Sequence, residues 1–332
     1  MRFFSFAALA PSVALLMFAC QSPRPPADQS SDPFVATDNA SAARVGHVLV
    51  IGVDGMSPDG VRQATTPVLD SLMAHGSFTL HARAVLPSSS SSNWASMIMA
   101  AGPEQHGITS NEWERDRHTL PASTPGSEAI FPTIFGQLRA QRPEAEIGAI
   151  YHWEGFGRLF EKRAVNYDQH GDTEEATTQL AEAYLKEKRP QFLFVHLDHV
   201  DHWGHEIGHG TPEYYRAVER ADSLIGRMVR AAQAAGLQDD LLVLVTADHG
   251  GLGKSHGGET LAEMEIPFIL AGKGIKPHHE IAHVVNTTDN AATVAFAFGL
   301  TTPYAWIGKP VTSAFEGFAD DPDREAVSVV QR

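Results

Sequence analysis

The 332-residue sequence has little cysteine and little basic charge. Its single cysteine, Cys20, has no second cysteine to pair with, so the protein contains no disulfide bond within the chain. Lys and Arg total 25 against 40 Asp and Glu, which gives a formal net charge of −15 and argues against a stable nucleic-acid partner. An acidic protein that handles anions needs a local source of positive charge, and bound metal can supply it.

Long apolar runs are lacking beyond the N-terminus. Residues 3–18 are almost all apolar and follow Arg2, which predicts a signal peptide over residues 1–19 that directs export. This apolar core is shorter than the roughly 20 residues that a membrane-spanning helix requires, and no later stretch comes closer. We therefore expect no membrane-spanning helix in the mature protein.

Cys20 lies where the apolar segment ends, directly after Ala19. A cysteine at this position resembles the bacterial lipoprotein cleavage site, at which the new N-terminal cysteine receives a lipid. The sequence thus predicts a protein anchored by lipid to the cell envelope, in the outer membrane or periplasm if the host is Gram-negative. The alternative is an ordinary signal peptide with an incidental cysteine.

Composition divides the rest of the chain into three parts. Residues 20–43 are rich in Pro, Ser, Asp and Ala without an apolar period, which predicts a flexible tether behind the lipidated Cys20. Residues 44–312 contain no second linker and are expected to form one catalytic domain, followed by a C-terminal tail at 313–332. The sequence does not indicate an oligomeric state.

Apolar runs alternate with helical patterns along residues 44–312. Runs at 45–53, 147–151, 192–197, 241–246 and 268–271 predict strands, and helical spacing occurs at 66–74, 174–188, 212–235 and 289–298. This alternation predicts an α/β fold with a mostly parallel central sheet sandwiched by helices on both faces. In such sheets, ligands bind beyond the carboxyl ends of the strands.

Carboxylates and imidazoles follow three of the predicted strands, so that folding would bring them to one edge of the sheet. Three carboxylates and three imidazoles suit two catalytic metal sites with open positions, although an isolated Asp-x-x-x-His segment can also be a solvated acidic loop. The candidate ligands are Asp54, Asp201, His205, Asp248, His249 and His256. Three further histidines, His196, His199 and His202, flank the second of these segments and are candidates for supporting a ligand.

The candidate nucleophile lies in a run of five serines at residues 88–92, which an apolar segment follows. Such a run resembles a helix start, where unpaired backbone N–H groups and the helix dipole favour an anion. A hydroxyl held there beside a metal ion can ionise and attack phosphorus. Without the ligand set, a serine run is more typical of a linker or turn.

Taken together, these motifs resemble the alkaline phosphatase superfamily, and in particular its type I phosphodiesterase/nucleotide pyrophosphatase family. That family has Pro three positions before its nucleophilic Thr or Ser and Asn three positions after it. Pro87, Ser90 and Asn93 reproduce this spacing, which selects Ser90 from the five serines. Residues 103–108 are similar to the family's Pro-Glu-x-His-Gly-Ile. The resemblance implies an alkaline phosphatase-like catalytic domain.

The resemblance implies a role for each matching residue. Two divalent metal ions, expected to be zinc, would be bound by Asp201, His205 and His256 on one side and by Asp54, Asp248, His249 and the Ser90 oxygen on the other. Asn93 and the Ser91 backbone N–H would stabilise the phosphoryl oxygens as negative charge develops. Ser90 would form a phospho-serine intermediate, which water then hydrolyses.

The predicted function is hydrolysis of phosphate esters, in particular of phosphodiester or nucleotide pyrophosphate bonds in a small substrate such as a nucleotide. A phosphomonoesterase and a phosphonate hydrolase are alternatives from the same superfamily. A sulfatase is disfavoured because no arginine follows Ser90 in the x-Pro-x-Arg pattern. Outside enzymes, the alternative is a metal-binding surface lipoprotein without catalysis, in which we would expect gaps in the ligand set.

Two further residues are candidates for substrate binding. Lys254 would add positive charge near the phosphate, although a solvated loop lysine is the commoner arrangement. Trp153 would form a wall of the substrate site, although core packing is the commoner role for such an aromatic residue. No membrane contact is expected except through the lipid anchor.

Overall fold

The computed structural model describes Met1 and residues 44–320. Apart from Met1, the predicted signal peptide, Cys20 and the tether lie outside the described residues, as do residues 321–332 of the predicted tail. Residues 44–320 belong to one compact unit. Across the described part of the chain, no helix combines the length and the apolar character needed to cross a membrane.

Within residues 44–320, eight strands form one sheet in the order β4-β3-β5-β1-β6-β7-β2-β8. The strands are β1 (His47–Val53), β2 (Gly76–Arg83), β3 (Ile147–Tyr151), β4 (Tyr167–His170), β5 (Phe192–Leu197), β6 (Leu241–Thr246), β7 (Glu265–Gly272) and β8 (His279–Glu280). The five neighbouring strands from β4 to β6 are parallel to one another. β7 is antiparallel to both of its neighbours, β6 and β2, so the sheet is mixed at that side.

The helices connect these strands. They are α1 (Pro58–Gln63), α2 (Pro67–Ala74), α3 (Ser90–Met99), α4 (Pro103–His106), α5 (Ile134–Gln141), α6 (Glu174–Lys188), α7 (His199–Glu206), α8 (Pro212–Ala234), α9 (Leu261–Met264) and α10 (Asp289–Phe298). Short 3₁₀ helices span Ser127–Ala129, Glu154–Arg158, Lys162–Ala164, Gln238–Asp240 and Thr312–Ala314.

Helices cover both faces of the sheet. On one face, α3, α5 and α10 contribute side chains to an apolar layer around Phe192 and Phe194 of β5. The next residue, Leu193, points the other way because side chains alternate along a strand. The Tyr184 ring of α6 packs on this opposite face, where a Cβ added at Gly148 would lie 2.4 Å from the ring and 3.0 Å from Leu193. The predicted α/β sandwich is therefore confirmed.

The central strands have the composition expected of strands that are covered on both faces. β5 and β6 are buried along their whole length, and β1 is buried at every residue after its first. Their continuous apolar runs made them visible in the sequence. By contrast, β4 lies at the edge, and its sequence Tyr-Asp-Gln-His contains no apolar run, so the sequence did not predict it.

The three central strands place the site. β1 lies between β5 and β6, with Val53 beside Leu197 and Gly52 beside Thr246 in the register. The three carboxyl ends therefore lie side by side at one edge of the sheet. The backbone N–H of Asp54 continues this pairing by donating to the Leu197 carbonyl at 2.8 Å.

Asp222 of α8 fixes the neighbouring helix α2. Its carboxylate accepts hydrogen bonds from the backbone N–H groups of Val68 at 3.1 Å and Leu69 at 2.8 Å. These groups lie in the first turn of α2, where no earlier carbonyl of the helix can bind them. Asp222 is thus a buried carboxylate with a structural role, remote in sequence from the predicted ligands.

Residues 313–320 were predicted as the beginning of a tail, but part of this segment packs on the domain. Ala314 and Phe315 are buried, and the Ala314 carbonyl accepts a hydrogen bond from the Ser77 hydroxyl of β2 at 3.0 Å. The packed domain therefore continues beyond residue 312.

Candidate active site

The predicted ligands converge at the carboxyl edge of the three central strands. Asp54 directly follows β1, and Asp248 and His249 follow β6 after one residue. Asp201 and His205 lie four positions apart on α7, which begins two residues after β5, so they occupy one face of that helix. His256 comes from the loop that follows His249. The convergence of all six residues matches the prediction from the sequence.

Asp201, His205 and His256 form one cluster. The Nε2 atom of His205 is 3.2 Å from Asp201 Oδ2, and the Nε2 atom of His256 is 3.9 Å from Asp201 Oδ1. One ligand atom from each residue lies within 4.8 Å of the others, which is close enough for a single metal ion. The assignment of His256 therefore agrees with its position in the structure.

Asp54, Asp248 and His249 form a second cluster, which His249 connects to the Ser90 hydroxyl. The Nε2 atom of His249 lies 3.3 Å from Asp54 Oδ1, 3.2 Å from Asp248 Oδ2 and 3.3 Å from Ser90 Oγ. Asp201 is also within reach of Asp54 and His249, so the two clusters adjoin. This arrangement places the Ser90 hydroxyl directly beside candidate metal ligands.

The three candidate histidine ligands have the same ring orientation. Each is close to a backbone carbonyl through Nδ1, His205 to Lys254 at 2.9 Å, His249 to Gly250 at 2.7 Å and His256 to Ser88 at 2.9 Å. A carbonyl only accepts, so Nδ1 donates its proton, and Nε2 is the nitrogen directed at the carboxylates. Such a contact fixes the tautomer and the ring orientation of a metal-binding histidine. The His249 and His256 rings also stack, with centroids 3.6 Å apart.

The carboxylates have the unsatisfied oxygens that a cation would require. Asp54 Oδ1, Asp201 Oδ1 and Asp248 Oδ2 are buried and accept no hydrogen bond. A buried polar atom without a partner costs about 1–3 kcal/mol, and more when it is charged. These oxygens and the imidazole Nε2 atoms form a donor set typical of zinc and related divalent ions. The residues present therefore fit a metal centre.

The pKa values of the site's ionisable groups also indicate that the site requires positive charge. Burial and the nearby Asp54 carboxylate raise the pKa of Asp248 well above its ordinary value. Burial lowers the pKa of His249, but the charges of Asp248 and Asp54 overcome this effect and raise it to about 10. The hydrogen bond with Asp201 raises the pKa of His205 to about 9. The carboxylates thus favour positive charge in a buried space, which a divalent cation would supply.

Ser90 is the first residue of α3, as the predicted helix start requires. Ser89 precedes it as the N-cap, with extended backbone angles of φ −110° and ψ 153°. Ser90 is 6% exposed, so its side chain is largely shielded from solvent. The backbone N–H groups at the start of this ten-residue helix and its dipole favour negative charge near the hydroxyl.

The role predicted for Asn93 is corrected by its contacts. Its side chain is completely buried, with Oδ1 accepting from the Val85 N–H at 2.7 Å. Its Nδ2 lies within hydrogen-bond distance of the carbonyls of Val85, Pro87 and Ser89, at 3.1 to 3.3 Å. Asn93 therefore binds the loop before Ser90 to α3 and has no amide group directed at a phosphoryl oxygen.

Asn111, which was not predicted, lies beside the start of α3. Its Oδ1 accepts a hydrogen bond from the Ser91 backbone N–H at 2.8 Å, which brings its exposed amide next to the nucleophile. The sequence offered no sign of this contact, because Asn111 lies 21 residues after Ser90 in a loop without periodicity. The loop turns back onto α3 only after folding.

Lys254 and Trp153, the two residues predicted to bind substrate, differ in their contacts. The Lys254 ammonium donates to the Glu206 carbonyl at 2.7 Å, and its own backbone carbonyl accepts from His205. Lys254 thus supports a ligand through its backbone, while its charge is engaged elsewhere. The Trp153 ring is partly buried beside His196 and Arg158, with centroid distances of 6.3 Å and 5.8 Å, and its contact with substrate stays a prediction.

His209 is another residue that the sequence analysis missed. Its Nε2 is 4.0 Å from Asp201 Oδ1, and its side chain is only 4% exposed. A Cβ added at Gly204 or Gly251 would lie 2.4 Å or 2.1 Å from the ring, so these glycines make room for it. Its two ring nitrogens are buried and have no hydrogen-bond partner.

His106, from the Pro-Glu-x-His-Gly-Ile segment, connects α3 with the loop that carries Asn111. Its Nδ1 accepts from the Ile108 N–H at 3.0 Å, so Nε2 carries the proton and donates to the Ser96 hydroxyl at 3.0 Å. Burial lowers the pKa of His106 to about 3. A second proton would have to bind Nδ1, where it would point at the Ile108 N–H. The ring is therefore neutral in the folded protein at neutral pH.

This buried ring leads to a prediction about acid stability. Because the folded pKa lies below the unfolded value of about 6.5, the unfolded state takes up the proton first as the pH falls. The stabilising contribution is complete above pH 6.5 and is lost progressively toward pH 3, by up to about 1.4 kcal/mol per pH unit. Urea unfolding from pH 7.5 to 4 should show a smaller pH dependence for His106→Gln than for the wild type.

The control for this prediction is His75→Gln, which changes an exposed histidine. Its stability should follow the wild-type pH dependence. Curves for wild type and His106→Gln that remain parallel below pH 6.5 would contradict the neutral, buried state of His106.

Comparison with known proteins agrees with the motifs and the fold. Residues 48–265 match the family model described as type I phosphodiesterase/nucleotide pyrophosphatase. A venom phosphodiesterase of Crotalus durissus collilineatus is 26% identical over 214 residues, which cover 58% of this chain and 25% of the venom protein. Ectonucleotide pyrophosphatase/phosphodiesterase family member 1 of Mus musculus is 27% identical over 195 residues, covering 55% of this chain and 21% of the mouse protein. The chain thus spans about a quarter of the length of these relatives.

The fold is also similar to that of a solved structure. Murine ectonucleotide pyrophosphatase/phosphodiesterase 5, in complex with AMP, superposes with a TM-score of 0.65 at 16% identity, covering 77% of this chain and 96% of that chain. At this identity, the similarity supports the fold alone. The Asp and His clusters and the family match together identify the sheet edge as the candidate active site.

Proposed function

We propose, because the chain belongs to the type I phosphodiesterase/nucleotide pyrophosphatase family, that it hydrolyses phosphodiester or nucleotide pyrophosphate bonds with Ser90 as nucleophile. The observation that carries the proposal is the position of the Ser90 hydroxyl, 3.3 Å from His249 Nε2, in a site whose three buried carboxylate oxygens have no hydrogen-bond partner. Two divalent cations, proposed to be zinc, would be held by the two clusters. When bound, they would lower the pKa of the serine hydroxyl and neutralise charge on the attacking and leaving oxygens.

The chain's own residues account for the two steps of the reaction. In the first, Ser90 Oγ forms a bond to phosphorus, the bond from phosphorus to the leaving oxygen breaks, and the departing alcohol or phosphate takes up a proton. The product is a phospho-serine ester. In the second, the oxygen of a water molecule bonds to the same phosphorus, and the bond from phosphorus to Ser90 Oγ breaks. Ser90 takes up a proton from that water, and the other half of the substrate leaves as a phosphate monoester.

Negative charge on the phosphoryl group is stabilised by the start of α3 and by Asn111. The Ser91 N–H currently binds the Asn111 side chain, so a phosphoryl oxygen would accept from this N–H when the amide moves aside. The Asn111 Nδ2 group can then donate to a phosphoryl oxygen. Donors placed where charge develops lower the barrier more than donors that bind the ground state alone.

The charges near the nucleophile favour a diester over a monoester. A phosphate monoester carries up to two negative charges and generally needs extra positive groups. Two cationic side chains, Lys254 and Arg158, lie in or beside segments of the site, but both already form hydrogen bonds with protein groups. Lys254 binds the Glu206 carbonyl, and Arg158 binds Glu114 at 2.6 Å and the Asn111 carbonyl at 2.5 Å. A diester, with one negative charge, fits this balance.

Nucleotide substrates are proposed on the basis of the relatives. The venom and mouse relatives are a phosphodiesterase and a nucleotide pyrophosphatase by name, and the murine structure holds AMP. In this chain, the partly buried Trp153 is the candidate for contact with a base, although its ring already lies against His196 and Arg158.

Hydrolysis of bis-p-nitrophenyl phosphate and p-nitrophenyl phosphate by metal-loaded protein tests the proposal. We expect faster turnover of the diester, loss of turnover with a chelator, and recovery when Zn²⁺ is added back. Faster turnover of the monoester would favour the phosphomonoesterase alternative. No turnover of either ester by metal-replete protein would contradict the enzymatic proposal and favour a metal-binding role.

A further inference from the structure

His196 differs from the three candidate histidine ligands in the position of its ring proton. It lies on β5 and is completely buried. The Trp153 backbone N–H donates to its Nδ1 at 3.4 Å, so the proton of the neutral ring is on Nε2. This Nε2 donates to Asp54 Oδ2 at 3.1 Å. In His205, His249 and His256 the proton is on Nδ1, and Nε2 is free to bind a cation.

Trp94 of α3 donates to the same carboxylate oxygen. Its Nε1 is 3.0 Å from Asp54 Oδ2, and its ring packs edge-on against His196 with a centroid distance of 4.8 Å. A Cβ added at Gly52 of β1 would lie 2.4 Å from the Trp94 ring, so a glycine is needed there for the indole to reach Asp54. Trp94 of α3 and His196 of β5 thus both donate to Oδ2 of Asp54, the residue that follows β1.

We propose that His196 and Trp94 are positioning residues, which bind Asp54 Oδ2 by two hydrogen bonds and thereby reserve Oδ1 for a metal ion. Oδ1 is the buried oxygen of Asp54 that accepts no hydrogen bond, and it faces His249. Two donors on one oxygen hold the carboxylate plane in place and leave one oxygen for the cation. The inference rests on the proposed function only in requiring a cation at Asp54.

A different reading would make His196 a metal ligand. Asp54, His196 and Asp198 have ligand atoms within 4.8 Å of one another, close enough to hold an ion. However, a ligand nitrogen needs a free lone pair, and the nitrogen of His196 that faces Asp54 carries the proton. Its other nitrogen is engaged by the Trp153 N–H. The observed contacts therefore favour a hydrogen-bond donor over a ligand.

The expected consequence of losing this support is weaker metal binding. Removing a partner that orients a metal ligand typically lowers metal affinity by about 10–100-fold. The effect should be confined to the ion that Asp54 binds. The ion held by Asp201, His205 and His256 should retain its affinity, because His196 and Trp94 contact none of these three residues by a hydrogen bond.

The test measures Zn²⁺ affinity of the full-length protein by competition with a chelator, resolving both binding steps. His196→Leu removes the donor and should weaken one step by about 10–100-fold. His196→Gln keeps an N–H at a similar reach and should restore most of that loss. Trp94→Phe removes only the indole N–H while keeping an aromatic ring, and should weaken the same step to a smaller degree.

Unchanged affinity in both His196→Leu and Trp94→Phe would overturn the proposal, as would equal weakening of the two binding steps. Failure of His196→Gln to restore binding would also overturn it and would make His196 a ligand. If His196→Leu does not fold, Trp94→Phe decides through the same measurement. Side-chain ¹⁵N spectra provide an independent readout, because the proton should be on Nε2 of His196 and on Nδ1 of His249. A proton on Nδ1 of His196 would contradict the inference.

These readouts separate the inference from the proposed function. Metal affinity does not depend on turnover, so wild-type protein that binds Zn²⁺ without hydrolysing any ester would contradict the function while the affinities still decide the roles of His196 and Trp94. Wild-type protein that binds no Zn²⁺ would contradict both.

Discussion

Ser90→Ala should lower turnover of a phosphodiester by about 10⁴-fold or more, in line with the loss of a catalytic nucleophile in other hydrolases. Such a loss corresponds to more than about 5 kcal/mol of transition-state stabilisation. The physical reason is that the Ser90 hydroxyl lies beside His249, whose Nε2 also faces the unsatisfied oxygens of Asp54 and Asp248. Steady-state kinetics with bis-p-nitrophenyl phosphate provide the measurement.

The same variant should keep its metal content and its fold. Ser90 begins α3, and its side chain has one contact within hydrogen-bond distance, to His249. The change in unfolding free energy should therefore stay within about 1 kcal/mol. Metal analysis of the purified variant checks that activity was not lost through loss of the ions.

Ser92→Ala is the matched control. It removes a hydroxyl from the same helix, but the Ser92 side chain is buried and contacts the Ser89 hydroxyl at 3.2 Å, not the candidate ligands. We expect turnover within a few-fold of the wild type. Retained activity in Ser90→Ala would refute the nucleophile assignment, and equal loss in both variants would point to disruption of α3 instead.

Asp248→Asn should weaken metal binding without lowering the stability of the metal-free protein. Burial and the Asp54 charge raise the pKa of Asp248 well above its ordinary value, so the ionised carboxylate is costly without a cation. The asparagine removes that charge, and its side-chain oxygen can still accept from the Gly55 N–H, as Asp248 Oδ1 does at 3.1 Å. The metal-free variant should be as stable as the metal-free wild type or more stable.

Metal should no longer stabilise this variant to the same extent. Stabilisation by a bound ion grows with its affinity, so weakened binding reduces the rise in melting temperature on adding Zn²⁺. We expect loss of at least one ion per chain in metal analysis and a loss of turnover of about 10²-fold or more, since binding partners of the reacting group are typically worth that much. Unchanged metal stoichiometry would remove Asp248 from the ligand set.

Asp222→Asn provides the matched control, because it also neutralises a buried carboxylate. Asp222 accepts two backbone hydrogen bonds at the start of α2 and lies apart from the metal clusters. Its replacement should lower stability with or without metal, by about 1 kcal/mol as for other helix N-terminal partners. It should leave metal content unchanged. In the metal-free proteins, Asp248→Asn should therefore keep or raise the free energy of unfolding, whereas Asp222→Asn should lower it. This difference distinguishes a metal ligand from a structural carboxylate.

Much of the fold was predictable because its central strands are covered on both faces. The runs at 192–197 and 241–246 coincide with β5 and β6, and the helical pattern at 174–188 coincides with α6. Composition alone marks such strands, since both of their faces must be apolar. The short edge strand β4 and the antiparallel direction of β7 were not predicted, because pairing partners far along the chain decide them.

The family and the convergence of the candidate ligands were also predictable. The family predicted from the spacing around Ser90 and from the Asp and His segments is confirmed by the match over residues 48–265. The positions of the six candidate ligands could be predicted because each follows a recognisable strand or lies at a fixed spacing from another candidate. The predicted signal peptide and lipid anchor remain predictions, since residues 2–43 lie outside the described part of the chain.

Asn93 and Asn111 show where motif spacing was insufficient. Both are polar residues near the nucleophile, and the sequence selected Asn93 because it lies three positions after Ser90. In the structure, the Asn93 amide forms hydrogen bonds with backbone groups of the preceding loop. Asn111, from a loop distant in sequence, accepts a hydrogen bond from the Ser91 N–H. A buried amide binds the nearest free backbone groups, and their location depends on the folded loop.

The sequence by itself determined which strands end in carboxylates, which serine begins a helix and which residue types meet at the edge of the sheet, because these follow from local composition and spacing. Only the tertiary structure decided which ring nitrogen of each histidine is protonated, which carboxylate oxygens stay free and which asparagine lies beside the nucleophile. These properties depend on single hydrogen bonds between segments that are far apart in the chain. The bond from His196 to Asp54 spans 142 positions, and no local pattern specifies it.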